Sequence, residues 1–319
     1  MSGLLAAVRD ACARAAERAR FVRIDAAGLE HWVDVNRDLP QLTSTPDPAH
    51  QHFGDPAVML AYVVTLDAIN FGSGWFPELR KRPGLSGYFT VATCLREEFE
   101  RVGPFGVPEL LQIDADRCEQ IFEQRGNPAV RELMELFARA LRDLGSWLEA
   151  RHGGSFARAV AAADRSAEQL AESLAEMPLY RDVARYAGFE VPLYKRAQLT
   201  AADLSSAFGG RGCGEFRDLD QLTIFADNLV PHVLRREGVI AYDAGLAARI
   251  ERGELVPAGS PEEVEIRAVA LHAVELAVRA LRARGVDASA QRLDYWLWNR
   301  GQRPEIKAHP RHRTRCPYY

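Results

Sequence analysis

Apolar residues recur at helical spacing through almost the whole chain, which limits the fold to a packing of helices. A period near 3.6 residues marks 2–20, 56–70, 86–100, 114–124, 128–152, 156–176, 181–187, 199–208, 219–236, 244–253, 260–284 and 289–298. Strand signals are confined to 189–193 and 238–242. The expected class is all-α, mainly helical with very few short strands. Some helix ends are explicit. Ser260, Pro261 and Glu263 supply an N-cap, a proline at the first helical position and a capping-box glutamate. Gly253 and Gly285 are natural C-terminal stops. Long Gly-, Pro- or aromatic-rich loops are expected at 39–55, 71–85, 209–215 and 301–319.

A chain of 319 residues can bury one large core or two modest ones. A soft boundary near 125–128 predicts an N-terminal helical lobe over 1–125 and a C-terminal catalytic lobe over 126–319, with one continuous domain as the alternative. The net charge of −4 offers no general field for a polyanion, so no stable nucleic-acid partner is expected. Cys12, Cys94, Cys118, Cys213 and Cys316 are scattered and odd in number, which argues for a reducing, cytoplasmic setting rather than a disulfide framework. No apolar run approaches the ~18 residues that span a bilayer. Of the 40 lysines and arginines, only Lys81, Lys195 and Lys307 are lysines. In an arginine-biased chain, a retained lysine can mark a need for a compact ammonium.

The stretch 216–234 carries three carboxylates, Asp218, Asp220 and Asp227, in apolar surroundings. Read as a helix, it sets Asp227 at the edge of a broad apolar arc. A carboxylate there costs free energy unless it is paired or used, so Asp227 is the first candidate for chemistry. Asp218 and Asp220 fall where helix-end acids cap orphan N–H groups. Lys195 begins a helix, where a cation opposes the dipole and an anionic ligand would explain it better than helix stability does. Asn70, Phe71 and Trp75 share a glycine-containing loop suited to a planar ligand, or to plugging a gap between helices. Asp294 lies among Tyr295, Trp296 and Trp298. His309, His312 and Cys316 are poorly spaced for zinc, and the glycines at 209–214 lack a P-loop's Lys-Ser/Thr, so no metal site is predicted. The neighbouring Arg311, Arg313 and Arg315 make the tail locally basic, fit for a phosphate or for an acidic groove.

Several pieces, in this order, resemble the queuosine salvage proteins. They are the run 194–198 (Tyr, Lys, Arg, Ala, Gln), Phe225 to Asp227 followed by Pro231, the run from Glu263 to Arg267, the run from Leu293 to Trp298, and the closing His312 to Tyr319. Ser166 and the run from Tyr180 to Asp182 also fit, from about residue 50 onward. The resemblance implies a mainly helical fold similar to helical DNA glycosylases, no cofactor, and hydrolysis of queuosine 5′-phosphate to queuine and ribose 5-phosphate. Queuine is a 7-deazaguanine and lacks the N7 that a glycosylase usually protonates. More of the barrier must then fall through stabilising an oxocarbenium-like ribose, the role expected of Asp227. Lys195 is expected to bind the 5′-phosphate or to orient Asp227. Asp294 or Asp218 would accept from N1–H and the exocyclic amine of the base. His52 and Asn70 are candidates for the cyclopentenediol arm, Phe71, Trp75 and Trp296 for stacking walls, and Arg267 for a further substrate contact. The alternatives are a helical DNA-base glycosylase and a non-enzymatic queuine or nucleotide carrier.

Overall fold

The computed structural model describes residues 3–37 and 52–319. Most of the loop expected at 39–55 lies outside the described residues. The fold is mainly α-helical, and its four short strands among the described residues pair into two antiparallel ribbons. By packing, the chain divides into two interleaved units. One comprises Met1–Thr43, Asp182–Gln198 and Asp218–Arg315; the other comprises Ser44–Arg181, Leu199–Arg217 and Cys316–Tyr319.

The first unit is organised around the helix Pro261–Ala283. Every residue from 263 to 271 in it is buried, so this helix is enclosed on all sides rather than facing one core. Its start follows the capping box: Ser260 Oγ accepts the Glu263 N–H at 3.3 Å, and Glu263 Oε2 accepts the Gly259 N–H at 3.1 Å. The helix Leu4–Arg18 packs along it, and its Val8, Cys12 and Ala15 join the same core, with Leu5 also buried. Glu265 ties the two chain regions together. Its Oε2 accepts the backbone N–H groups of Arg20, Phe21 and Val22, and its Oε1 accepts the Tyr186 hydroxyl at 2.8 Å. The carboxylate is fully buried and has its acceptor capacity filled. The strand Val22–Ile24 pairs with Ile240–Tyr242, in register Val22 to Tyr242.

Three expected helices take other forms. Residues 181–187 contain the strand Val183–Tyr186, which pairs with Phe189–Pro192. Ala187 and Gly188, at φ +47° and +86°, make the two-residue turn, whose handedness matches strand twist. The helix expected over 156–176 is two helices, Phe156–Ala161 and Ala167–Leu174, interrupted where Asp164 and Arg165 take φ +44° and +59°.

The third difference concerns 219–236. Only a single 3-10 turn, Leu219–Gln221, and a short helix, Val230–Arg236, form there. The residues between them form neither helix nor strand, and all but the half-buried Asp227 are buried. Side chains satisfy this segment where helical carbonyls otherwise would. Gln198 Oε1 accepts the Thr223 N–H at 2.9 Å, and Asp294 Oδ1 accepts the Phe225 N–H at 2.8 Å. The Arg267 Nε–H donates to the Ala226 carbonyl at 2.9 Å. Pro231, which has no N–H, is tolerated only in the first turn of the helix that follows.

The second unit is built on the helix Arg131–His152, whose Leu133, Met134, Phe137, Leu141 and Leu144 are buried. The helices Pro56–Ala68, Val107–Gln112, Ala115–Ile121 and Phe156–Ala161 pack against it or its neighbours. The C-terminal residues return to this unit, where the Tyr319 carbonyl accepts the Gly72 N–H at 3.0 Å.

Candidate functional site

Asp227 stands at the end of the irregular segment and ahead of the helix Val230–Arg236. Its Oδ1 accepts the N–H groups of Leu229 and Val230 at 2.7 and 3.0 Å. This is an Asx turn ahead of the helix, which fixes one carboxylate oxygen and so orients the other. The residue is half-buried within otherwise buried chain.

Asp294 reaches the same segment from the helix Ala290–Gly301 and is 6% exposed. Burial pushes its carboxyl up to about 8. The Asp227 charge pushes the same way, while the hydrogen bond from Phe225 and the Lys195 ammonium oppose it. Two nearby acids in a desolvated place do not both ionise readily, so Asp294 holds its proton at neutral pH.

Lys195 is the first residue of the helix Lys195–Ala207 and is buried. It follows Tyr194, whose φ of +48° lies in the left-handed region, uncommon for a residue with a side chain. The Lys195 backbone N–H donates to Asp182 Oδ2 at 3.1 Å. The Asp182 carboxylate also receives the Arg267 fork, with contacts of 2.9 and 2.6 Å to its two oxygens.

Arg311 adds a cation within electrostatic range of Asp227. Desolvation holds its guanidinium below its ordinary range, and the Asp227 carboxylate opposes that fall. Two buried histidines lie within its electrostatic range. Burial lowers His312 to about 3 and His232 to about 4, so both imidazoles stay neutral at physiological pH. The arrangement therefore pairs an aspartate and a neutral aspartic acid with a lysine and an arginine.

Asp227, Lys195, Asp294 and Arg267 are thus brought together in the first unit. Arg267 is 1% exposed, and its contacts run to Asp182, Glu263 and the Ala226 carbonyl. Asp218 is half-buried just before the turn Leu219–Gln221, and its carbonyl accepts the Gln221 N–H. Trp296 stands edge-on to Trp32 at 5.7 Å, under the Arg300 guanidinium. Trp298, four residues beyond Asp294, is the indole that shares its helix face.

The other predicted residues belong to the second unit. Phe71 is buried edge-on to Phe137 at 5.1 Å. Trp75 is 1% exposed and donates its indole N–H to Glu132 at 3.3 Å. The Asn70 amide donates to Asp67 at 3.3 Å, and His52 is exposed. Sequence reasoning missed Asp182 as a partner of this site. The only signal was its place in the run Tyr180 to Asp182, ahead of an unrecognised strand.

A mainly helical protein with one half-buried aspartate, one neutral acid and two cations around it has the equipment of a glycosidic-bond hydrolase. The model of the family described as "Queuosine salvage protein" matches residues 49–319, and the chain belongs to that family. It is similar to the Sphaerobacter thermophilus protein named "Queuosine 5'-phosphate N-glycosylase/hydrolase", with 38% identity over 312 residues, 96% of this chain and 95% of that protein. Proteins of the same name from Mus musculus and Dictyostelium discoideum are 32% and 34% identical. They cover 83% and 81% of this chain, and 83% and 77% of their own lengths.

Proposed function

We infer that this chain hydrolyses the N-glycosidic bond of queuosine 5′-phosphate, releasing queuine and ribose 5-phosphate. The observation that carries the reading is the side-chain-supported segment that presents Asp227 beside a neutral Asp294, within the field of Lys195 and Arg311.

The chemistry follows from charge. As the bond to the base lengthens, positive charge grows on the ribose C1′ and O4′. The Asp227 carboxylate, held by two backbone N–H groups, stabilises that charge without having to reorganise. The leaving base must take negative charge or a proton, and a 7-deaza ring offers no N7. A neutral Asp294 has both a donor and an acceptor, which complements the O6 and N1–H of a guanine-type edge. Donation to O6 would help the base depart. Lys195 and Arg311 supply the cations for the 5′-phosphate or for placing Asp227. Trp298 is a stacking surface on the Asp294 face. The substrate is the free nucleotide rather than a polymer, in keeping with the net charge of −4. Among the described residues no helix is long and apolar enough to cross a membrane. The scattered, odd-numbered cysteines favour a reducing cytoplasm.

The test is incubation with queuosine 5′-phosphate, queuosine and a queuosine-containing oligonucleotide, with free base followed by chromatography. The nucleotide should be cleaved fastest. Asp227→Asn should keep the fold and queuine binding but lose on the order of 10³ in kcat. Near-normal base release by that variant would reject the assigned role.

A further inference from the structure

We propose that the buried Asp182–Arg267 pair is a positioning device that holds both reacting groups at once. It fixes the peptide that starts the Lys195 helix and the peptide that leads into Asp227. The proposal rests on the functional reading above, but its geometry is independent of the substrate's identity.

Asp182 acts at three successive backbone positions. Its carbonyl accepts the N–H groups of Leu193 and Tyr194 at 2.9 and 3.3 Å, and its carboxylate accepts the N–H of Lys195 at 3.1 Å. These bonds hold Tyr194 at φ +48°, a conformation with a steric cost that persists only when its surroundings enforce it. Lys195 therefore leaves the backbone in a direction that an unstrained chain would not give it.

Arg267 carries the same constraint to the other group. Its fork is filled by the two Asp182 oxygens, while its Nε–H holds the carbonyl of Ala226. That carbonyl belongs to the peptide bond that links Ala226 to Asp227. A guanidinium presents these donors in a rigid plane, so the distance between the two peptides is set by one stiff group. The pair is 3% and 1% exposed.

Burial alone does not call for ions here. An apolar pair of similar volume often replaces a buried ion pair without loss of stability. What an apolar pair lacks is the directional contact to the peptides at Lys195 and Asp227. Misplacing a reacting group by about 1 Å can cost ~100-fold in rate.

The test uses the full chain and two variants, Asp182→Leu/Arg267→Met and Arg267→Lys. The first keeps apolar volume and removes the pair, leaving the buried Glu263 carboxylate to the Gly259 N–H and the helix N-terminus. The second keeps the charge and loses the planar fork. Folding is followed by urea denaturation, catalysis by kcat and KM on queuosine 5′-phosphate, and the backbone by amide hydrogen exchange at Lys195. The folded double variant should lose ~100-fold or more in kcat with KM within ~3-fold, and its Lys195 amide should exchange faster. Arg267→Lys should show the same pattern to a smaller extent. A folded double variant with wild-type kcat, or with wild-type protection at Lys195, would overturn the proposal. Failure of both variants to fold would overturn it too, by making the pair a structural support. Failure of the wild type to release queuine would count against the substrate reading alone, and the exchange measurement would still decide the clamp.

Discussion

Asp294→Asn should make the empty protein more stable, and increasingly so as pH rises. The Asp294 carboxyl shifts from an ordinary 3.8 to about 8 in the folded chain, chiefly through burial and then through the Asp227 charge. Below pH ~4 both folded and unfolded chains carry the proton, and the residue contributes no slope. Between ~4 and 8 the folded chain keeps a proton that the unfolded chain has released. The unfolded state then binds fewer protons, and stability falls by about 1.4 kcal/mol per pH unit. Above about 8 both states are ionised and the slope vanishes. Over the roughly four units between 3.8 and 8, the loss reaches about 6 kcal/mol as a ceiling. Asparagine imitates the neutral acid in shape and can still accept the Phe225 N–H, but it does not titrate. Urea denaturation at pH 4.5, 6 and 7.5 should show the two proteins diverging, the variant gaining a few kcal/mol at the highest pH. Its kcat should fall at least ~100-fold, because an amide cannot give up a proton to the leaving base. Wild-type kcat should decline as pH rises through about 8, the value at which Asp294 loses that proton. Parallel stability curves for the two proteins across this range would refute the reasoning.

Three further outcomes follow from particular contacts. Glu265→Ala strips the acceptor from three backbone N–H groups and the Tyr186 hydroxyl, and should cost about 3–5 kcal/mol in urea denaturation. Gly301→Ala would place a Cβ 2.7 Å from Leu229 Cγ, so thermal melting should show a loss of about 1–2 kcal/mol; kcat should drop too, because the Leu229 N–H caps Asp227. If Lys195 binds the 5′-phosphate, Lys195→Ala should penalise queuosine 5′-phosphate far more than queuosine in kcat/KM, whereas equal losses would move Lys195 to a role in placing Asp227.

The helical class was legible because long amphipathic segments such as Arg131–His152 leave a clear period. The segment around Asp227 was not. Its residues from 222 to 226 are all buried, so its apolar content reflects complete enclosure rather than one helix face. The hydrogen bonds that hold it out of a helix come from Gln198, Arg267 and Asp294, the last two at least 41 residues away in sequence. No local pattern encodes such partners. The break at Asp164 and Arg165 was hidden for a related reason, since neither residue advertises a positive φ as glycine would. Lys195 was visible through its rarity and its awkward place at a helix start. Asp182 was not, because an acid before a strand has no local mark of its importance. Asp294 was picked out by its aromatic neighbours, while its retained proton emerged only from the burial and charge around it.

The interleaving of the two units bears on how the chain is made. The helix Leu4–Arg18 needs the helix Pro261–Ala283 to cover it, and 243 positions (261 minus 18) separate the end of one from the start of the other. At ~5–20 residues per second, a ribosome takes about 12–50 s to supply that partner. Throughout this interval Leu5, Val8 and Cys12 lack their final cover. The long run Ser44–Arg181 emerges meanwhile as one continuous piece of the other unit. The unit that holds Asp227 closes only once the helix Pro261–Ala283 has been synthesised, and the nascent chain must keep the helix Leu4–Arg18 from other partners until then.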